Sequence, residues 1–293
     1  MKILITGAKG QLGRDCSQVL ATSFTVYPFG SSELNIADRD QVNDIMDKIR
    51  PDFVVNCAAY TAVDNCEKNR ERCRQVNADG PEYIARACAK TDARMIHIST
   101  DYVFAGTKQP PKAYTENDSV SPLSEYGASK LAGEEQIRKN TDNHLIIRTA
   151  WLYGIGGPNF LKTMLRLALD DPTRTIRVVN DQVGSLTWTY RLARQINALV
   201  ASDLTGTIHA TAEDYCTWYE GARYFLDAMR VPYSLEPCST IDYPTPAHRP
   251  ANSILENKRL KKHRLNRMVP WQEDVTKFAE RHRETLLAEA KKE

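Results

Sequence analysis

The sequence predicts an α/β fold, a doubly wound parallel sheet followed by a smaller C-terminal α/β domain. Three observations predict it. Lys2-Ile-Leu-Ile-Thr6 is a short apolar, β-branched run, and Gly7-Ala-Lys-Gly10-Gln-Leu-Gly13 follows it at once, before a helical pattern through Leu20. Strand-length apolar runs then alternate with helical patterns through the first half of the chain. The second half keeps alternating but has no second glycine turn, so it reads as the other wall of a pocket and not as a second nucleotide site. The expected division is a dinucleotide-binding, Rossmann-type domain over 1–150. Residues 151–293 then make a mainly substrate-binding domain, interleaved with late elements of the first.

Composition narrows the function classes. At 293 residues, with 42% hydrophobic and 26% charged residues, the chain has material for roughly two domains and the balance of a globular enzyme. A formal net charge of +2 gives no sign of a polyanionic partner, so no nucleic acid is expected. No run approaches the roughly 18 apolar residues of a membrane helix, and the chain enters a strand directly after Met1. A cytoplasmic protein without a signal peptide or membrane segment is therefore expected. The seven cysteines, at 16, 57, 66, 73, 88, 216 and 238, contain no Cys-x-x-Cys and read as buried reduced thiols. The six histidines stand singly; none is assigned a catalytic role, and no metal site is expected.

The elements follow in order. Gly7, Gly10 and Gly13 let the backbone approach a pyrophosphate, whose charge meets free N–H groups at the helix N-terminus. The spacing is Gly-x-x-Gly-x-x-Gly, not Gly-x-Gly-x-x-Gly. Phe24-Thr-Val-Tyr27 reads as the second strand, after which an acidic residue would grip the ribose 2′-hydroxyl of NAD. The chain has Pro28-Phe29-Gly30-Ser31-Ser32 there, so Gly30 and Ser31 are assigned to the cofactor and NADPH is favoured, with NADH the alternative. Glu33 is assigned to turn surface. Asp38 caps a helix with Val42, Ile45, Met46 and Ile49 inward. Phe53 to Thr61 is a buried strand whose end turns through small residues beside the cofactor. A long helix is expected from about Glu67 to Lys90, with Asn77 satisfying backbone.

Met95 to Phe104 is the next strand and its exit, where Thr100 serves either as a donor to a substrate oxygen or as a capping hydroxyl. After a polar loop to Ser124 comes Tyr126-Gly-Ala-Ser-Lys130-Leu-Ala-Gly-Glu134. Residues four apart share one helix face, so Tyr126 and Lys130 are expected to form an acid and the cation that lowers its pKa, suited to protonating a carbonyl oxygen as hydride arrives at its carbon. An exposed Tyr–Lys pair is the bland alternative for that spacing alone. His144 to Thr149 is a strand that ends at Trp151, an indole that walls a ring substrate or fills core. Short strands and helices follow, the run Lys258 to Arg264 reads as a solvated basic helix end, and Pro270-Trp271 opens a helix through Leu287.

Jointly, the glycine turn, Ser99-Thr100-Asp101-Tyr102-Val-Phe and the Tyr126–Glu134 stretch resemble the extended short-chain dehydrogenase/reductase superfamily. The runs Asn56 to Asp64, Arg148 to Tyr153, Asn159-Phe160, Asn180 to Ser185 and Pro244 to Ser253 extend the resemblance, over about residues 1 to 287, to the dTDP-4-dehydrorhamnose reductases. That resemblance implies reduction of the C4 ketone of dTDP-4-dehydro-6-deoxy-L-mannose to dTDP-L-rhamnose, a precursor of cell-surface polysaccharide. It implies Tyr126 as proton donor, Lys130 as its tuner and ribose contact, and Thr100 as third member. It also implies Gly10, Gln11 and Leu12 as cofactor loop, Asn35 and Ile36 at adenine, Ala59, Tyr60 and Thr61 along the cofactor, and Thr100, Asp101 and Trp151 at the sugar.

Two departures qualify it. Asn35 stands where the family often has aspartate, which leaves the cofactor preference open. Some relatives dimerise through magnesium held by acidic residues, whereas Arg191 and Arg194 stand here, so a monomer or weak homodimer is expected, with magnesium on a diphosphate left open. The rival readings are a non-catalytic NADP-binding regulatory subunit, like the methionine adenosyltransferase β subunit, and an epimerase or other nucleotide-sugar enzyme on the same scaffold.

Overall fold

A computed structural model describes residues 1–291. Among them, six strands form one parallel sheet in the order Gly206–His209, His144–Thr149, Arg94–Thr100, Phe53–Asn56, Lys2–Thr6 and Thr25–Phe29. The chain starts inside the sheet, runs to one edge, then crosses back, so the strand order reverses between Lys2–Thr6 and Phe53–Asn56. Ligands of open α/β sheets bind in the crevice at the carboxyl ends beside such a reversal. Register places Thr6 beside Asn56 and Thr100 beside Thr149, which lines up Gly7, Cys57, Asp101 and Ala150 along that edge.

Alternation along the strands builds two cores. Ile3, Ile5, Ile96 and Ile147 face helices Gln11–Leu20 and Thr189–Val200 through Leu12, Cys16, Leu192 and Ile196. Leu4, Val54, Met95 and Ile146 face the opposite side, where helices Arg39–Ile49, Gly80–Thr91 and Glu125–Asn140 supply Val42, Met46, Ile84 and Ile137. A third core lies in the C-terminal part, where helices Phe160–Asp170, Trp218–Met229 and Trp271–Ala290 pack around Leu165, Phe225 and Phe278. The parallel pair Thr175–Val179 and Ser234–Cys238 flanks it.

One expectation needs correction, and two features go beyond the expectations. The helix from Glu67 to Lys90 is broken into Val63–Lys68, Arg70–Arg74, a π-helical turn Gln75–Asp79 and Gly80–Thr91. The wider turn accompanies an inward Asn77, which accepts from Tyr60 N at 2.8 Å and donates to Tyr60 O and Ser129 Oγ at 3.0 Å each. The basic run is a solvated helix end, with Lys258, Lys261, Lys262, His263 and Arg264 exposed, but it is also anchored: Leu260 is buried, Arg259 donates to Thr207 O at 2.6 Å, and Lys261 pairs with Glu213 and Glu256 at 2.8 Å. It clamps the sheet's edge strand. The strand Ser234–Cys238 has no counterpart in the sequence reading.

Helix Glu125–Asn140 is held by a buried charge network. Glu134 is fully buried and accepts from Arg148 at 2.9 and 2.7 Å, from Arg138 at 2.6 Å and from Ser99 Oγ at 2.6 Å. Burial alone would raise this carboxyl, but the Arg148 guanidinium and its companions hold it below the usual range. Removing one partner of a buried pair leaves the other charge uncompensated. Glu134→Gln is therefore expected to cost about 3–5 kcal/mol, read as a lower denaturant midpoint at neutral pH; an unchanged midpoint contradicts this account of the helix.

Candidate active site

The first strand delivers the chain to Gly7 at φ +65°, a left-handed turn where an added Cβ would lie 2.7 Å from Ala58 backbone. At Gly13 a Cβ would lie 2.1 Å from Gly7 O, so strand and helix can meet this closely only without side chains. Gly10 caps helix Gln11–Leu20 with extended backbone and no side chain, so the N–H groups of Gln11, Leu12 and Gly13 open its N-terminus. This cradle fits a diphosphate. Leu12 itself is buried in the core and has only its N–H to offer, while Gln11 spans to Pro158 O at 3.2 Å and Asn159 at 3.0 Å, tying the glycine turn to the C-terminal part.

At the tip of the second strand Glu33 lies on a turn surface, as expected, but next to the residues assigned to the cofactor. Glu33 is exposed, yet its carboxylate folds back to accept from Gly30 N at 2.8 Å and pairs with Lys9 at 3.4 Å. The Gly30 N–H bond and Lys9 hold it below the usual carboxylate range. A carboxylate therefore does stand at the strand tip, tethered to a lysine that also reaches Ser32 at 3.3 Å. Ser31 is exposed beside it. Asn35 is half-buried and accepts from Ala37 N, Ile36 is buried against Gly80, and Ala59 and Tyr60 are half-buried with Thr61 exposed.

Strand Arg94–Thr100 and helix Glu125–Asn140 bring the chemical groups together. Thr100 Oγ1 donates to Asp101 Oδ1 at 3.0 Å, accepts from Tyr102 N at 3.2 Å and faces the Tyr126 phenol, so this capping hydroxyl adjoins the tyrosine. Tyr126 is half-buried with its ring edge-on to Tyr102 at 5.5 Å. Burial and the Asp101 charge push its phenol above the usual range, against the Thr100 hydroxyl. Lys130 is buried, its Nζ donates to Ile98 O at 2.7 Å, and burial pulls it down to about 8. The expected lowering of the phenol by the lysine is thus not what the protein's own groups produce: desolvation governs both side chains, and the lysine is turned toward the sheet.

Trp151 sits at φ +48°, half-buried, and stacks on Trp218 with 3.6 Å between centroids and 12° between planes. Gly184 backs the indole; a Cβ there would lie 2.5 Å from the ring. Trp218 also lines a cavity of about 630 Å³ with Phe160, Gln182, Arg177, Tyr243 and Arg249. Arg249 in turn pairs with Asp64 at 2.9 Å and reaches the surroundings of Tyr102, joining the cavity to the tyrosine helix. Trp218, Arg249 and Asn77 are absent from the predicted site; Trp218 and Arg249 carry no spacing signal, and Asn77 is legible only as an interior polar residue. On helix Thr189–Val200, Arg191 is bonded to the buried Asp274 at 2.8 Å. Among the described residues, no group of three or more His, Cys, Asp or Glu side chains could hold a metal ion.

A family profile described as the RmlD substrate binding domain matches residues 1–284. The chain belongs to this family. The dTDP-4-dehydrorhamnose reductase of Streptomyces griseus is 38% identical over 281 residues, 93% of this chain and 91% of that one. The crystal structure of a dTDP-4-dehydrorhamnose reductase from Clostridium acetobutylicum is similar with a TM-score of 0.92 at 38% identity, covering 96% of this chain and 99% of that one. That of Bacillus anthracis dTDP-4-dehydrorhamnose reductase, in complex with NADP, gives 0.91 at 37% identity, with 94% and 98% covered. The Rossmann-type sheet is therefore that of the RmlD family.

Asp101 carries a measurable consequence. It is buried, and Oδ2 has no hydrogen-bond partner among the described residues. Burial lifts its carboxyl from 3.8 to about 6. The native state then binds the proton more tightly than the unfolded chain, an advantage complete below pH 4 and lost as pH rises through 6. Asp101→Asn is expected to stabilise the free protein at pH 7 by on the order of 2–3 kcal/mol, with the gain fading toward pH 4; thermal melts across that range check it.

Proposed function

We propose that this chain is a nicotinamide-dependent reductase of dTDP-linked 4-keto-6-deoxy sugars, converting dTDP-4-dehydro-6-deoxy-L-mannose to dTDP-L-rhamnose. The observation that carries the reading is the gathering of Thr100, Asp101 and Tyr126 at the carboxyl edge of the sheet that also bears the glycine cradle, in a chain of the RmlD family. When bound, the cofactor supplies hydride to the ketone carbon.

The chain's own residues do the rest. Tyr126 donates its proton to the ketone oxygen as that oxygen gains charge, and Thr100 donates a hydrogen bond to the same oxygen. A phenol kept protonated by burial is in the state this direction of reaction needs. Trp151, braced by Trp218 and Gly184, walls the sugar. The 630 Å³ cavity beyond it, with Arg177 and Arg249 at its rim, takes the nucleoside diphosphate. Lys9 and the serines at 31 and 32 favour a 2′-phosphate, while Glu33 opposes it and leaves NADH usable. A nucleotide-linked substrate supports a cytoplasmic reaction. No helix of the described residues is long and apolar enough to cross a membrane.

The purified protein is expected to oxidise NADPH on addition of the keto sugar nucleotide. Tyr126→Phe should lower kcat by about 10²–10⁴ while NADPH binding stays within about twofold. NADPH binding by the wild type without turnover would instead mark a non-catalytic subunit. Lys9→Gln should lower the NADPH-to-NADH ratio of kcat/KM by on the order of tenfold, as expected for losing a charge-assisted bond, and an unchanged ratio removes Lys9 from the cofactor site.

A further inference from the structure

None of the histidines is needed by the reaction as described, yet His97 is fully buried directly against Lys130. Its hydrogen bonds can be assigned one by one. Ala58 N–H donates to Asn56 Oδ1 at 3.2 Å, and a backbone N–H only donates, so the amide oxygen must lie on that side. Thr6 Oγ1 donates to the same oxygen at 2.6 Å. The Asn56 NH₂ group is thereby turned to His97 Nδ1, 3.0 Å away. Since NH₂ also only donates, Nδ1 carries a lone pair and the imidazole proton sits on Nε2. That N–H points at Lys130 Nζ across 3.3 Å. An ammonium there would set donor against donor, whereas an amine offers its lone pair to Nε2–H and still donates to Ile98 O at 2.7 Å.

We propose that His97 is a positioning residue that disfavours the ammonium form of Lys130 in the ligand-free protein, so that the lysine releases and regains its proton close to neutral pH. The chain Thr6, Asn56, His97, Lys130, Ile98 O then runs in one direction, each donor meeting an acceptor. Its importance to turnover rests on the proposed role of the Tyr126–Lys130 pair; its protonation pattern does not.

The surroundings agree. Burial, then the nearby Lys130 charge, keep His97 well below its usual value, which rules against a doubly protonated ring. Burial pulls Lys130 down to about 8 against Glu134 on its own helix, Cys57 after the third strand and Cys73 on helix Arg70–Arg74. Glu134 is the carboxylate among these, and it is already bound by Arg148 and Arg138. Each reduction of a ketone by hydride consumes one proton, and a lysine titrating near 8 exchanges protons with neutral solvent as an ordinary lysine does not.

The test is nuclear magnetic resonance on the whole ligand-free protein. In ¹⁵N-histidine-labelled wild type, His97 should show the neutral Nε2–H form from pH 6 to 9, and ¹³Cε-labelled Lys130 should titrate with a midpoint of about 8. His97→Gln lets an amide oxygen face Nζ and should raise that midpoint by at least about one pH unit, a tenfold change in proton affinity. The pH profile of kcat should move the same way. Asn56→Asp reverses the chain at its source, by accepting from Nδ1–H, and should also raise the Lys130 midpoint. An Nδ1–H or charged His97 in the wild type, or a wild-type Lys130 midpoint in the ordinary lysine range, overturns the proposal without any variant. So does a His97→Gln midpoint equal to wild type. If these resonances behave as stated in a protein that turns over no keto sugar, the reductase reading fails and the His97–Lys130 assignment stands.

Discussion

The buried carboxylate of Glu134 governs where everything in the site stands. A charge withdrawn from water costs several kcal/mol unless donors surround it, and here they come from three directions: Ser99 on one central strand, Arg148 on the next and Arg138 one turn along the same helix. Only one rotation and one height of helix Glu125–Asn140 meet all of them. Lys130 lies one turn before Glu134 on that face and is driven down to Ile98 O; Tyr126 lies one turn earlier and emerges beside Thr100 at the sheet's carboxyl edge. The position of the phenol is thus a consequence of an ion pair about two turns away. The helix has a polar buried stripe, Ser129, Lys130 and Glu134, because its task is to carry hydrogen bonds into the sheet as well as apolar area.

What the sequence discloses is what lies close together along the chain. The opening strand, glycine turn and helix, the Asp38 cap and the tyrosine helix are local patterns of periodicity and capping, and the structure has them at nearly the expected bounds. The break in the helix near Asn77 was not legible, since its cause is a partner on Tyr60 and another on Ser129. Strand Ser234–Cys238 contains Glu236 and Pro237 and shows no alternation, so only its pairing with Thr175–Val179 defines it. Glu33 reads as turn surface because nothing local says that Gly30 N and Lys9 will fold it back.

The same limit explains the substrate side. Trp151 was open between pocket wall and core, and its setting depends on Trp218 and Gly184, both more than thirty residues away in the chain. Gln182 accepts from the Trp218 indole N–H at 3.2 Å and donates to Thr240 at 3.0 Å, so the stack is continuous with the loop around Asp242 that borders the cavity. The Asn180-Asp-Gln-Val-Gly stretch, conspicuous as a motif, acquires a physical meaning: its glutamine orients an aromatic and its glycine makes room for another.

The last strand of the sheet, Gly206–His209, pairs with His144–Thr149 only after a detour of more than fifty residues through the C-terminal part. While the polypeptide is being synthesised, Leu145, Ile146 and Ile147 therefore wait with one row of backbone groups unpaired until the ribosome has delivered residue 209. Such an open, apolar edge is a template for pairing with another nascent chain. The Arg259 and Lys261 clamp arrives later still, so this border is the last part of the sheet to be sealed, and chaperone dependence during expression is to be sought there.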